Sequence, residues 1–338
     1  MNKSINPLVS VIVLAYDRKR YLMNAVTSVL NQEIDRSDYE IIVSKNFQDE
    51  SIDKFLEDNH VISIIDNVQG IGPRLGGCLL KARGEIISFL EDDDAWEPNK
   101  LSNVINAFLG DDRVGYYHNA YLPINEDGIE TKEWIHHKNI KFRKEILPQS
   151  FTLKDIVHLV KFSPNFNMSS ISISRRLAMQ LINDFSKIRY AVDTFLFVGS
   201  IFYGFAFIID NKKLTRYKIH QSNMNQKTND FGEFITGAKL LYEEHYLAFK
   251  EMLKIFKHSF ITKLLISYER EWELRLNLLE AKKHRTQMLN VLVNDIKYLF
   301  LRRDYAMFLY LLATIFVVSP YFAQRIYYFY LMGAISKY

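Results

Sequence analysis

The chain of 338 residues carries 43 lysines and arginines against 39 aspartates and glutamates, a formal net charge of +4. This excess is too small to indicate a nucleic-acid-binding protein, in which basic residues gather into a strong patch. Hydrophobic residues make up 48% and charged residues 24% of the chain, a balance that excludes a largely disordered protein. The single cysteine, Cys78, excludes an internal disulfide and is consistent with a reducing compartment.

The first hundred residues alternate between strand and helix patterns. Strands are predicted at 8–15, 39–44, 61–65 and 85–90, and helices at 21–31, 51–59 and 72–83. The opening run LVSVIVLA has no polar alternation, which indicates a strand buried on both faces of a parallel sheet. The alternation predicts an α/β fold with a mostly parallel sheet flanked by helices.

Two nucleotide-binding folds can be tested against the glycines. No G-x-x-x-x-G-K-[ST] phosphate loop occurs. Gly70, Gly72, Gly76 and Gly77 do not form G-x-G-x-x-G, and they follow the third predicted strand, whereas the dinucleotide fingerprint follows the first. Both folds are therefore excluded.

An acidic run ends the fourth predicted strand, in the segment GEIISFLEDDDAWEP at 84–98. In open parallel sheets, ligands bind outside the carboxyl ends of the strands. Four adjacent carboxylates repel one another, and a divalent cation that carries phosphate oxygens would neutralise them. A solvated acidic loop is the alternative, but the position at the end of a buried strand favours a metal–phosphate site.

The later segments carry one isolated carboxylate in an apolar setting. Further strands are predicted at 114–120, 169–174 and 206–209, and a helix at 175–181. The alternating SSISIS at 169–174 predicts a half-buried strand. Asp193 lies within RYAVDTFLFVGSIFY, where a carboxylate is either a helix N-cap or a group in a pocket with a raised pKa.

Together these segments resemble the inverting family 2 glycosyltransferases, whose catalytic domain has the GT-A fold. The resemblance runs in order along about the first 225 residues. VSVIVLAYDR resembles the first strand and the turn beneath the nucleotide, and GEIISFLEDDDAWEP resembles the D-x-D segment. SSISISRRLAMQL, RYAVDTFLFVGSIFYG and YKIHQSN resemble the acceptor-side strand, the catalytic-aspartate helix and the terminal Y-[RK]-x-H element.

The resemblance implies a divalent metal, Mn²⁺ or Mg²⁺, at the acidic run. Asp93 is the implied direct metal ligand, with Glu91 and Asp94 in support. Asp92 is expected beside the ribose, and His220 near the diphosphate or the metal.

The resemblance also assigns the groups that face the donor and the acceptor. Asp193 takes the place of the general base. Arg74 is expected to reach a phosphate, and Ala15, Tyr16 and Asp17 to lie near the base and the ribose.

The end of the second strand departs from the family pattern. An acidic residue that contacts uracil is expected there, and this chain has Lys45 and Asn46. Asn46 can hydrogen-bond a base edge and Phe47 can stack on it, so the nucleotide stays open. No Q-x-x-R-W block occurs, which indicates a non-processive enzyme.

The C-terminal third changes character. We expect a GT-A domain at 1–228, a helical extension at 229–303 and hydrophobic, aromatic-rich helices at 304–338. The uncharged stretch 305–323 would span roughly 28 Å as a helix. We predict helices in the membrane interface, which make the protein peripheral or monotopic on the cytoplasmic face. A single short transmembrane span and a buried helical hairpin are the alternatives.

These features predict a metal-dependent inverting glycosyltransferase. It would move a sugar from a nucleotide-sugar donor to a hydroxyl of a lipid-linked or other glycan acceptor, with a membrane surface as partner and no nucleic acid. A nucleotidyltransferase and a non-catalytic nucleotide-sugar-binding protein are the alternatives.

Overall fold

The computed structural model describes residues 6–131, 144–146, 152, 156, 159–160, 163–220, 230–257, 259–280, 285–290, 292–293 and 303–335. The chain divides into two compact units. The first comprises Met1–Thr152 and Phe162–Ile219, and the second Leu153–Lys161 and His220–Tyr338. The predicted boundary at 228 lies outside the described residues, so the three-part division stays a prediction.

The first unit is built on a sheet to which the described residues contribute nine strands. The strands are β1 Val9–Ala15, β2 Tyr39–Lys45, β3 Ile62–Ile65, β4 Ile86–Glu91, β5 Ala95–Trp96, β6 Val114–Ile124, β7 Lys144–Ile146, β8 Ile171–Ser174 and β9 Ala206–Lys218. Their order is β3-β2-β1-β4-β8-β6-β9-β5, and β7 pairs with β9. The predicted α/β class with a mostly parallel sheet is confirmed.

Helices of the first unit connect and cover these strands. They are α1 Lys19–Leu30, α2 Glu50–Asp58, α3 Ile71–Leu79, α4 Lys100–Leu109, α5 Arg175–Leu181 and α6 Val192–Phe202. Short 3₁₀ turns lie at Arg36–Asp38, Met168–Ser170 and Phe185–Lys187. The apolar face of α1 shows why such helices form, because Leu22, Ala25, Val26 and Val29 recur at helical spacing and all are buried against the sheet.

The parallel half of the sheet sets the position of the acidic run. β1 pairs in parallel with both β2 and β4. Ala15 lies opposite Lys45 on one side, and Leu14 lies opposite Glu91 on the other. The chain segments that follow these three strands therefore leave the sheet at one edge.

The expectation of a half-buried strand at SSISIS is wrong. β8 lies between β4 and β6, and all four of its residues are buried. The serines are accommodated by hydrogen bonding, as shown by the 2.8 Å contact between the hydroxyls of Ser88 and Ser172. Neighbouring strands pair with both of its edges, and a local pattern does not reveal that both of its faces are covered.

A close approach of two backbones fixes the segment that leads into α6. A Cβ atom on Gly72 would lie 1.9 Å from the carbonyl oxygen of Ile188 and 2.5 Å from that of Phe185. The N–H of Ile71 donates to the carbonyl of Arg189 at 2.8 Å. Only glycine permits this contact between the start of α3 and the turn before α6.

The second unit is helical. Its described helices are α7 Phe231–Ile255, α8 Thr262–Leu279, α9 Arg285–Asn290, α10 Arg303–Val318 and α11 Pro320–Ile335. α10 and α11 share a core with α7 and α8 that includes Tyr242, Leu278, Phe316 and Tyr327. The hydroxyls of Tyr242 and Tyr327 lie 2.9 Å apart.

The hydrophobic stretch predicted near the C-terminus therefore forms two helices that break at Ser319. Each has 16 residues, or about 24 Å, which is shorter than the roughly 30 Å hydrocarbon core. No helix among the described residues is long and apolar enough to cross a membrane. The faces of α10 and α11 that point away from the shared core expose a set of apolar side chains, here called the outer face. It comprises Leu311, Val318, Tyr321, Phe322, Phe329 and Tyr330.

Candidate active site

Three chain segments meet at the carboxyl edge of the sheet. The turn after β1 carries Tyr16, Asp17 and Arg18, and the turn after β2 carries Asn46. The turn after β4 carries the acidic run. The parallel register of these strands places the segments side by side, as Brändén's rule expects for a ligand site.

Asp92 and Asp93 share one arginine. Both carboxylates are buried, Asp92 completely, while the side chain of Arg18 keeps 30% of its surface exposed. Arg18 Nη2 lies 2.6 Å from Asp92 Oδ1, and its other terminal nitrogen is paired with Asp93. Burial raises the pKa of Asp92 to about 7, although Arg18 opposes the shift.

Asp94 is turned toward the sheet. It accepts hydrogen bonds from the backbone N–H of Lys218 at 2.9 Å and from Asn167 Nδ2 at 3.2 Å. Burial, with the charge of Asp93 added, raises its pKa to about 8. These contacts tie the acidic turn to the end of β9, and the metal-supporting role of Asp94 stays a prediction.

A buried polar cluster lies beneath the acidic turn. The carbonyl of Ser169 accepts from Trp96 Nε1 at 2.8 Å and from Thr215 Oγ1 at 3.0 Å, while the Ser169 hydroxyl accepts from the N–H of Glu91 at 3.0 Å. Lys100 is fully buried, and its ammonium contacts Asn119. Burial lowers the pKa of Lys100. The cluster holds the acidic turn in place through the hydrogen bond between Ser169 and the backbone of Glu91.

Asp17 and Asn46 bridge the turns after β1 and β2. The N–H of Asp17 donates to Asn46 Oδ1 at 2.9 Å, and Asn46 Nδ2 donates to Asp17 Oδ1 at 2.8 Å. Asp17 has φ of 58°, a left-handed conformation that aspartate tolerates better than most residues. The pair lies at the carboxyl edge of the sheet, where Tyr16, Asp17 and Asn46 are predicted to contact the base and the ribose.

Arg74 ties the ends of β1 and β2 together. Its Nη2 donates to the carbonyls of Ala15 at 2.8 Å and Ser44 at 2.7 Å. Its side chain is buried, and burial lowers its pKa. The phosphate contact predicted for Arg74 and the donor contact predicted for Ala15 stay predictions.

Lys45 explains the departure at the end of β2. Its side chain is fully buried and its ammonium lies 2.6 Å from Asp53 Oδ1 and donates to the carbonyl of Phe47 at 2.8 Å. Lys45 therefore stabilises the start of α2 and points away from solvent. Asn46, one residue later, is the polar group that this strand end offers at the rim.

Asp193 lies in the first turn of α6. Its Oδ1 accepts from the N–H of Thr194 at 2.6 Å, and burial raises its pKa to about 6. Ala191, two residues earlier, has φ of 54°. This left-handed conformation is strained for a residue with a Cβ, and such strained residues are enriched at functional sites. The charge of Asp193 raises the pKa of Glu91, after burial, Asp93 and Asp94. Asp193 and the acidic run therefore lie within electrostatic reach of each other.

His220 is buried and is the first residue of the second unit's C-terminal segment. It follows Lys218, whose backbone binds Asp94, by two residues. Its predicted role near the diphosphate or the metal stays a prediction.

The acidic run fits a metal that is bound together with a diphosphate. Mg²⁺ is commonly held by one or two carboxylates plus substrate phosphates, and Asp93 and Asp92 offer that set. Asp92 Oδ1 is buried without an aligned hydrogen bond from the described residues. Among the described residues, no group of three or more His, Cys, Asp or Glu side chains could hold a metal ion.

Sequence reasoning missed Arg18, Asn167 and Lys100. Arg18 follows β1, so its place at the same sheet edge as the acidic run is a usable signal. Asn167 lies far from the acidic run in sequence and Lys100 follows it by six residues, and neither carries a local pattern that marks it.

The fold and this edge of the sheet define the GT-A class of nucleotide-sugar transferases. Residues 10–165 match the family described as Glycosyl transferase family 2. The match covers somewhat less than half of the chain, and the resemblance predicted from the sequence is confirmed for that part.

Curated relatives match the N-terminal part of the chain. An uncharacterized glycosyltransferase of Nostoc sp. is 35% identical over 32% of this chain and 35% of its own length. The UDP-Glc:alpha-D-GlcNAc-diphosphoundecaprenol beta-1,3-glucosyltransferase of Escherichia coli is 33% identical over 37% of this chain and 49% of its own length. The matches thus span about half or less of these relatives.

Solved structures share the fold over most of the chain. Staphylococcus aureus TarS 1–349, in complex with UDP-GlcNAc, matches with a TM-score of 0.57 and 15% identity. The match covers 96% of this chain and 92% of that one. At this identity the likeness establishes the fold alone.

Proposed function

We propose that the protein is a metal-dependent, inverting, non-processive glycosyltransferase. It would move a sugar from a nucleotide-diphosphate sugar to a hydroxyl of a lipid-linked or other glycan. The observation that carries the proposal is the acidic run at the carboxyl edge of the parallel strands, with Asp193 near enough for its charge to raise the pKa of Glu91. The match of residues 10–165 to Glycosyl transferase family 2 favours this proposal over the nucleotidyltransferase alternative.

The chain's own residues would share the work between the two ends of the bond that breaks. Asp93, with Asp92 beside it, would hold a divalent metal that stabilises the charge on the leaving diphosphate. Asp193 would accept the proton of the acceptor hydroxyl as that oxygen attacks the anomeric carbon from the opposite face. A carboxyl whose pKa is raised to about 6 is well suited to general-base catalysis near neutral pH. One displacement inverts the configuration.

The acceptor and the membrane belong to the same proposal. The E. coli relative is named for a diphosphoundecaprenol-linked acceptor, and an acceptor of that kind would lie in a bilayer. The outer face of α10 and α11, with its exposed tyrosines and phenylalanines, suits a membrane interface. We infer a peripheral attachment on the cytoplasmic face.

The test is turnover of a panel of nucleotide sugars by the full chain with Mn²⁺ or Mg²⁺. We expect nucleotide release with at least one donor, and its loss in Asp193→Asn with donor binding retained. Wild-type rates in Asp193→Asn would remove this residue from the mechanism. Donor binding by the wild type without any turnover would instead identify a non-catalytic nucleotide-sugar-binding protein.

A further inference from the structure

We propose that Arg18 is the counter-cation of Asp92 and Asp93 in the nucleotide-free protein. The guanidinium of Arg18 must move away from both carboxylates before a divalent metal can bind. Because the nucleotide favours this movement, metal binding depends on the nucleotide. This inference rests on the proposed metal site and adds a control over its occupancy.

The ion pairs place Arg18 where a shared cation would lie. One terminal nitrogen lies 2.6 Å from Asp92 Oδ1 and the other is paired with Asp93. The guanidinium therefore bridges two successive carboxylates. Within that bridge, a divalent ion and the guanidinium would lie a few ångströms apart and repel each other strongly.

The two carboxylates are more deeply buried than the arginine side chain that bridges them. Asp92 is fully buried, and its Oδ2 accepts from the N–H of Tyr16 at 3.3 Å. Arg18 is 30% exposed and has a long, unbranched stem with many rotamers. The preceding residue, Asp17, is held by reciprocal hydrogen bonds with Asn46. A rotation of the Arg18 side chain can therefore open the site without moving the turn.

A nucleoside diphosphate changes the balance in two ways. Its phosphate oxygens supply metal ligands in addition to Asp92 and Asp93. They also give the guanidinium of Arg18 an anionic partner that matches its forked donors. A metal ion alone brings neither phosphate ligands nor an anionic partner for Arg18. It would have to displace Arg18 from Asp92 and Asp93 with no new contact for the guanidinium.

The experiment is Mn²⁺ binding to the full chain, measured by electron paramagnetic resonance of the free ion, with and without UDP. Arg18→Gln removes the competing charge, and we expect it to bind Mn²⁺ alone at least about tenfold more tightly than the wild type, by the repulsion argument above. Arg20→Gln is the matched control, because Arg20 is exposed and pairs with Glu126. We expect it to behave as the wild type. Arg18→Met, which keeps the unbranched stem, repeats the test if Arg18→Gln does not fold.

The outcomes separate this inference from the metal site itself. Mn²⁺ binding that is equal in the wild type and the Arg18 variants, or weaker in the variants, would overturn the role of Arg18 alone. A purely structural arginine would give that result, since its loss has no reason to tighten metal binding. An absence of Mn²⁺ binding in every protein, with or without UDP, would overturn the metal site and this inference with it.

Discussion

At the scale of single residues, the environment of Asp193 predicts how the rate depends on pH. Burial raises its pKa to about 6, and only the ionised carboxylate can accept a proton. We expect kcat, measured at saturating donor and metal, to fall about tenfold per pH unit below pH 6. A kcat that stays constant down to pH 4.5 would contradict the general-base role.

The same residue predicts a gain in stability on substitution. Because the pKa of Asp193 is higher in the folded protein than its ordinary value of 3.8, the stability contribution is lost as pH rises from about 4 to about 6. Two pKa units correspond to about 3 kcal/mol at most, and the partial exposure of Asp193 reduces that figure. Asp193→Asn keeps an oxygen that can accept from Thr194.

We therefore expect Asp193→Asn to unfold at a higher urea concentration than the wild type at pH 7.5, by about 1–2 kcal/mol, and at the same concentration at pH 4. Asp127→Asn, in an exposed turn, is the control and should change neither value. An Asp193→Asn variant that is less stable at pH 7.5 would show that the charge is compensated in the folded state.

At the scale of elements, the contact between α3 and the turn before α6 predicts that adding one methyl group at Gly72 lowers the free energy of unfolding. In Gly72→Ala the new Cβ would meet the carbonyl oxygens of Ile188 and Phe185 at 1.9 and 2.5 Å. We expect a loss of roughly 1–3 kcal/mol or more in the free energy of unfolding, measured in urea. Activity should fall as well, because the same turn leads to Asp193.

Gly77→Ala is the matched control on the same helix. Its nearest neighbour would be 4.0 Å away, and alanine is the better helix former by roughly 0.5–1 kcal/mol. We expect Gly77→Ala to be neutral or stabilising. Equal stability of the two variants would mean that α3 moves away from the turn at little cost.

Local patterns predicted the elements of the first ninety residues well and those of the rest of the chain less completely. The ends of β1, β2 and β4 were predicted to within one residue, because each is an apolar run that ends in polar or turn residues. β9 extends to Lys218, nine residues beyond the prediction, since residues 210–213 are all polar and the pairing with β6 is irregular there. β5 is not predicted because a strand of two residues is too short to show an alternating pattern.

The candidate site shows the same limit. The sequence indicates the acidic run and Asp193, since each stands out from an apolar neighbourhood. It does not indicate that Arg18 bridges Asp92 and Asp93, because that contact depends on β1 lying beside β4, some seventy residues later. Nor does it indicate that Lys45 is buried against Asp53. The roles of all these residues stay predictions.

At the scale of the whole molecule, the outer face of α10 and α11 predicts attachment to lipid. Leu312 and Phe316 are buried in the helical core, while Phe322 and Phe329 are more than half exposed. Burying a phenylalanine side chain contributes roughly 1.5–3 kcal/mol. We expect Phe322→Ser combined with Phe329→Ser to reduce binding to anionic phospholipid vesicles at least about tenfold, measured by co-sedimentation.

The control is Leu80→Ser, which removes an exposed leucine from the first unit and should leave vesicle binding unchanged. Circular dichroism should show the same helix content in all variants, because neither phenylalanine belongs to the core. Rates with a water-soluble acceptor should also be equal, since the outer face lies on a different unit from Asp193. If the wild-type chain does not bind vesicles but forms dimers, and the double variant forms none, the outer face serves self-association and not membrane binding.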